Sequence, residues 1–210
     1  QPILGVDIAR YGSDESRMYI NRGGRIRLYD DGTEDGGAWS KTDLITTARK
    51  VHAAAQRVGA KLVNVDANGV GGGVVDALLT LEEFRDAIYD VGAIMTANAS
   101  PDNMRWFNQR AYQYDVLREG MAEGKFDLDF NDVDLREELI TQTYKFSAKG
   151  AVQITSKDEM KKAGLDSPDS LDAVLLSTID FVEDYDSPKP GEVVEYDFEE
   201  INSFYDKSFW

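Results

Sequence analysis

Gly5-Val6-Asp7-Ile8-Ala9 puts a carboxylate at the end of the apolar run Ile3-Leu4-Gly5-Val6. Val63-Asn64-Val65-Asp66-Ala67 does the same at the end of a second run, and Ser167-Pro168-Asp169-Ser170-Leu171-Asp172-Ala173 sets two more acids where an amphipathic segment begins. Two strands and one helix of this kind would carry Asp7, Asp66, Asp169 and Asp172 to one point. Carboxylates gathered without compensating Arg or Lys repel one another, which raises their pKa values and costs stability unless a divalent cation or shared protons neutralise them. The pattern therefore predicts a metal site. A lone Asp at a strand end is otherwise a turn or capping residue, and acids in a first helical turn otherwise complement the helix dipole.

Working outward, strands and helices alternate. Ile3–Ile8, Arg17–Asn21 and Arg25–Tyr29 read as short strands, with Arg22-Gly23-Gly24 as a turn, so an antiparallel meander opens the sheet with Asp7 near its centre. Asp30–Gly37 reads as an acidic, glycine-rich loop. Ser40 with Asp43 starts a helix whose stripe is Leu44, Ala48, Val51, Ala55 and Val58, and Gly59 ends it. Lys61–Asp66 is a buried strand, Val74–Leu79 a helix and Ala87–Val91 a further strand. Ser100-Pro101 is expected to begin the longest helix, reaching Met121, and Asn131-Asp132 a shorter one through Leu139. Tyr144–Ser147 and Ala151–Thr155 form a hairpin around Ala148-Lys149-Gly150. Pro168 opens the last helix, with Leu171, Val174, Leu175, Thr178, Ile179 and Val182 as its stripe.

On that helix Asp169 and Asp172 are three residues apart. At about 100° per residue, Asp172 borders the apolar stripe and is the better buried ligand, while Asp169 points further outward. Gly69-Val70-Gly71-Gly72-Gly73 fails as a nucleotide motif: Val74 occupies the small-residue position of G-x-G-x-x-G/A, and the Gly-Lys-Ser/Thr of a P-loop is missing. The expectation is a tight turn after Asp66 that lets backbone approach metal or phosphate. His52, the single histidine, sits mid-helix among alanines, so a packed role is expected and a His-based nuclease mechanism is disfavoured.

The order and spacing of these motifs resemble the nuclease domain of the large terminase subunit of tailed phages. The resemblance spans roughly residues 3 to 183 and rests on three parts: Gly5-Val6-Asp7-Ile8-Ala9 with Gly12-Ser13-Asp14, the Asp66-Ala67-Asn68-Gly69-Val70-Gly71 turn, and Ser156-Lys157-Asp158 followed by Ser167-Pro168-Asp169 and Asp172-Ala173. It implies an α/β fold with a ribonuclease H-like mixed sheet flanked by helices and an added β-hairpin near the active site. It also implies metal-dependent cleavage of concatemeric viral DNA during genome packaging. Asp7, Asp66 and Asp172 would be catalytic, with Asp169 joining them as metal ligands and Asp14 supporting them from behind. The cofactor would be Mg²⁺ or Mn²⁺, two ions roughly 4 Å apart, one generating the attacking hydroxide and the other stabilising the leaving oxygen.

Duplex DNA is the implied partner, with the ATPase domain of the same subunit, portal and small terminase subunit beside it, in a packaging motor on the procapsid in the host cytoplasm. No Walker A motif is present, so that ATPase lies outside this chain. Lys145, Lys149 and Lys157, on the hairpin and the segment after it, would meet phosphates, with a solvated charged surface as the bland alternative; Arg105, Arg110 and Arg118 are weaker candidates. Backbone contacts of this kind give low sequence preference. Two rivals stand beside this reading: a Holliday-junction-resolvase-like nuclease, and a packaging-motor interaction module that cuts nothing.

Composition constrains the picture without selecting it. The 210 residues suffice for one α/β domain, 42% are apolar, and no run of about 18 apolar residues predicts a membrane span. Gln1-Pro2 leads directly into a strand, so no signal peptide is expected. Zero cysteines exclude thiolate sites and favour hard, oxygen-bound cations. A net charge of −16 opposes autonomous DNA binding. Its distribution is uneven: residues 183–210 carry nine acids against Lys189 and Lys207, whereas residues 141–165 carry five lysines against Asp158 and Glu159. The expected organisation is a nuclease domain over 1–183 and an acidic tail over 184–210.

Overall fold

The computed structural model describes residues 1–9, 15–33 and 36–180. Asp14, the expected boundary at 183 and the acidic tail over 184–210 lie outside them. One sheet contains β1 (Ile3–Asp7), β2 (Ser16–Arg22), β3 (Arg25–Leu28), β4 (Ala38–Trp39), β5 (Leu62–Asp66) and β6 (Asp90–Ile94). Its order is β3-β2-β1-β5-β6, with β4 pairing β2. The β3-β2-β1 part is antiparallel, while β1-β5 and β5-β6 are parallel. This is the expected ribonuclease H-like mixed sheet, with β1 at its centre. The helices are α1 (Leu44–Val58), α2 (Val70–Thr80), α3 (Gln109–Ala122), α4 (Val133–Thr141), α5 (Lys157–Lys162) and α6 (Asp169–Ser177), and β7 (Tyr144–Phe146) pairs β8 (Val152–Ile154) in a separate hairpin.

Strand periodicity sorts the two faces. Leu4 and Val6 of β1, Met18 and Ile20 of β2, and Val63 and Val65 of β5 pack with Ala48, Val51 and Ala55 of α1 and Val74 and Leu78 of α2. The alternate residues look the other way, toward α6. There Tyr19 and Ile26 join Leu171, Val174 and Leu175 of α6, Leu117 of α3 and Leu135 of α4. Gly5 and Asp7, Asn64 and Asp66, and Tyr19 and Asn21 share this parity, so the two strand-end acids face α6.

That helix lies unusually close to the sheet. A Cβ at Gly5 would sit 2.2 Å from the Ala173 carbonyl oxygen and 2.3 Å from the Ser177 amide nitrogen. Polar side chains anchor the helix's far end: Asn64 Nδ2 donates to the carbonyls of Leu176 (2.9 Å) and Ile179 (2.8 Å), and Asn21 Nδ2 to that of Ser177 (2.9 Å). Each buried carbonyl at the helix end thus finds a donor.

Several expectations shift. The helix expected from Ser100-Pro101 starts at Gln109, capped by Asn108, and at 14 residues it is one shorter than α1 with 15. Residues 101–107 are used otherwise: the amides of Arg105 and Trp106 turn back to Asp102, and that of Phe107 binds Val152 of the hairpin. The strand expected at Ala87–Val91 is Asp90–Ile94, because Leu62 of β5 pairs Asp90 and the Ala87 amide is taken by a turn to Phe84. The segment after the hairpin contains α5, closed by a reciprocal Ser156–Glu159 capping box. The glycine run is helix: α2 begins at Val70, and a Cβ at Gly71 would meet the Asp66 carbonyl at 1.8 Å. Gly71 lets α2 pass close to the end of β5, and Gly73 lets it pass close to Leu44 of α1. No helix among the described residues is long and apolar enough to cross a membrane.

Gly5→Ala should therefore lower unfolding free energy by about 1–3 kcal/mol or more, because backbone on both sides of the contact must give way. Urea denaturation checks this.

Candidate active site

Parallel pairing of β1 and β5, with Val6 opposite Val65, sets Asp7 and Asp66 side by side at the strands' C-terminal ends. The first turn of α6 brings Asp169 and Asp172 over them. Asp7, Asp169 and Asp172 are 6, 7 and 8% exposed. The expectation that Asp169 points outward is thus corrected. It is covered by its own partners: Ser167 Oγ donates to it at 2.5 Å and the Glu15 amide at 3.2 Å.

The acids do not stand uncompensated. Lys157, the first residue of α5, reaches into their midst. Its Nζ lies 2.8 Å from Asp7 Oδ2, 3.1 Å from Asp169 Oδ1 and 3.2 Å from Asp172 Oδ2. Arg110 of α3 clasps Asp172 from the other side, with Nε and Nη2 at 3.1 and 3.0 Å from Oδ1, and Nη1 donates to the Thr155 carbonyl. Asp66 is held more loosely, accepting from the Asn68 amide at 3.0 Å and Asn68 Nδ2 at 2.7 Å, with Thr96 behind them.

These placements change two assignments. Lys157, expected on phosphate, is turned inward because three buried carboxylates attract an ammonium more strongly than solvent does. Arg110, read as a weak DNA contact, is the partner of Asp172. Lys145 forms an ion pair with Glu159, whose carboxyl it draws down to about 2, while Lys149 stands exposed at the hairpin turn. The pattern Ser156-Lys157-Asp158-Glu159 carries a sequence signal for α5, the capping box. Arg110, Asn68 and Thr96 carry none. His52 is packed as expected, against Phe84 with Nδ1 2.8 Å from the Tyr89 hydroxyl.

Four carboxylates against two cations leave the site negative. Burial pushes Asp7 up to about 7; Lys157 pulls it back, and Asp172, Asp66 and Asp169 push it further up. Burial raises Asp66 as well. Desolvation works against the charge on Lys157, but Asp7, Asp172 and Asp169 outweigh it and hold the ammonium protonated.

The donor set suits a hard divalent cation: every ligand is a carboxylate oxygen, and one cationic atom already stands close to three of them. Ammonium distances exceed the 2.0–2.6 Å or so that Mg²⁺ or Ca²⁺ requires. Accordingly, among the described residues no three acids are drawn together as a formed metal-ligand group. Asp7, Asp66, Asp169 and Asp172 would have to close on an ion in place of Lys157.

No protein-family model matches the sequence, and no curated protein matches it. Solved structures do. The nuclease domain of the large terminase subunit gp2 of bacterial virus Sf6 superposes with a TM-score of 0.73 at 18% identity, over 86% of this chain and 89% of that one. The chain has the fold of a terminase nuclease domain. A mutant of the Sf6 domain with manganese and beta-thujaplicinol matches equally, at 0.73 and 18% over the same shares. The large terminase nuclease of thermophilic phage G20c with bound magnesium matches at 0.60 and 16%, over 84% of this chain and 79% of that one. In this terminase-nuclease fold the four acids occupy the C-terminal edge of the two central parallel strands.

The Asp7 shift has a defined sign. An acid whose folded-state pKa lies above its unfolded value favours folding when protonated, and its cost appears as pH rises from about 4 to about 7. Asp7→Asn should thus melt higher than the parent at pH 8 in metal-free buffer, with the advantage gone near pH 4. A lower melting temperature at pH 8 contradicts this assignment of the shift. Lys157→Ala should do the reverse without metal, melting lower at pH 8, and should bind Mn²⁺ more tightly by calorimetry because the ammonium no longer competes. Unchanged affinity would show that Lys157 does not hold the metal position.

Proposed function

We propose that this chain is a metal-dependent DNA endonuclease that cuts concatemeric viral DNA during genome packaging. The observation that carries this reading is the convergence of Asp7, Asp66, Asp169 and Asp172 at one edge of a sheet with the terminase-nuclease fold. Several solved structures of that fold are described with manganese, magnesium, calcium or zinc, which supports a divalent cofactor here. Asp7 and Asp66 from the strands and Asp169 and Asp172 from α6 would hold the metal, two ions by the family resemblance. Bound Mg²⁺ or Mn²⁺ supplies positive charge to the scissile phosphate and acidifies the attacking water.

The chain's own residues do the rest. Arg110 fixes the rotamer of Asp172, and Asn68 that of Asp66, so each carboxylate presents a set direction. Lys157 keeps three acids converged against their repulsion. On releasing them, its ammonium is placed to meet a phosphate oxygen, which reconciles its inward position with the expected DNA contact. Lys149, with Lys145 once parted from Glu159, would touch duplex backbone from the hairpin. The ATPase domain of the same subunit, portal and small subunit, all outside this chain, would supply the grip that the charge of −16 denies it.

Asp7→Asn and Asp66→Asn should each abolish Mn²⁺-dependent nicking and linearisation of plasmid DNA, with circular dichroism unchanged. Since Asp169 and Asp172 are equally buried, Asp172→Asn and Asp169→Asn should both impair cleavage severely. Full cleavage by the Asp7 variant would exclude the site. A parent that binds no Mn²⁺ at all would favour the non-catalytic module.

A further inference from the structure

Helix α6 begins without a cap of its own. Its N-cap residue is Pro168, whose side chain bonds to no amide, and the hydroxyl of the preceding Ser167 is spent on Asp169. The amides of Ser170 and Leu171 would be left as orphan donors in a buried turn. Both are taken by a residue from another helix. Glu138 of α4 accepts the Ser170 amide on Oε1 at 3.2 Å and the Leu171 amide on Oε2 at 2.6 Å. These amides belong to the two residues between Asp169 and Asp172, so one carboxylate grips the turn that carries both acids.

We propose that Glu138 is a positioning residue, clamping the first turn of α6 so that Asp169 and Asp172 stay converged on Asp7 and Lys157. Two bonds from two oxygens of one planar group fix the turn's height and its rotation, which one bond would not. The clamp is itself anchored: Leu135, one turn earlier on α4, is buried against the sheet, Asp132 caps α4, and the Tyr19 hydroxyl donates to Asp132 at 2.6 Å. Holding a carboxylate there is unfavourable in itself. Burial pushes Glu138 up to about 7, and the two amides pull it back.

The far end of α6 is secured separately by Asn21 and Asn64. Loss of Glu138 therefore loosens the first turn and leaves the helix docked. This separates positioning from general stability. The inference rests on the nuclease reading for its catalytic consequence, although the clamp itself does not.

The experiment compares Glu138→Ala and Glu138→Gln with the parent, well below their melting temperatures. In Glu138→Ala the Mn²⁺ concentration for half-maximal plasmid cleavage should rise about tenfold, with KM for duplex DNA at saturating Mn²⁺ unchanged. Glu138→Gln, which keeps one acceptor oxygen, should fall between. The Lys157 ammonium resonance in ¹⁵N NMR, sharp in the parent because three carboxylates shield it, should broaden in Glu138→Ala. A lower melting temperature with parental Mn²⁺ dependence and a sharp Lys157 signal overturns the proposal and leaves a plain structural cap. If the parent itself neither binds Mn²⁺ nor cuts DNA, the nuclease reading fails; the Lys157 signal in metal-free protein then decides Glu138 alone, loss supporting the clamp and persistence refuting it.

Discussion

The approach of α6 to the centre of the sheet sets the geometry on which everything else depends. It is possible because Gly5 leaves no Cβ where the helix backbone passes, and it is directed because Asn21 and Asn64 reach the carbonyls at the helix's far end. Strand pleating then does the remaining work. Residues two apart share a face, so a strand that offers Gly5 to the helix also offers Asp7, and one that offers Asn64 also offers Asp66. The residues that seat the helix and those that meet its acids lie on the same strands by simple parity.

Seating the helix creates an electrostatic problem that packing cannot solve. Asp7, Asp169 and Asp172 lose most of their water within one another's reach, and burying a charge without a partner is costly. Lys157 and Arg110 make the arrangement tenable. A buried ion cluster is not thereby a source of net stability, since desolvation consumes much of the attraction. Asp7 retains a raised pKa even with its lysine in place. A group of acids that folding tolerates more than it benefits from is the kind of feature that function maintains.

The hairpin shows the same economy at the surface. Lys145 is neutralised by Glu159, and Lys157 is spent on the acids, so much of the positive charge between residues 141 and 165 is committed internally. A chain of this composition has few cations to spare for phosphate, which fits the proposed nuclease if its grip on duplex comes from other parts of a packaging assembly.

Local chemistry was legible from the chain alone where it is local in fact. Asp43 and Gly59 bound α1, Asp132 starts α4, the hairpin turns about Lys149-Gly150, and Asp7, Asp66, Asp169 and Asp172 stand out because each interrupts or opens an apolar pattern. Periodicity placed both strand acids in a central sheet. What it could not supply was any relation between segments distant in sequence. Lys157 reads as a surface lysine until α5 is laid beside three carboxylates, and Arg110 as a helix-surface arginine until α3 crosses behind Asp172. Glu138 is one acid among many until its two oxygens are found on the amides of a helix some thirty residues later. Asp169 was misjudged for the same reason: helical phase fixes a side chain's direction relative to its own helix, whereas its burial depends on what other parts of the chain are folded over it. Carboxylate identity and spacing are properties of the sequence; which cation balances each one is decided by distance, and distance exists only in the folded protein.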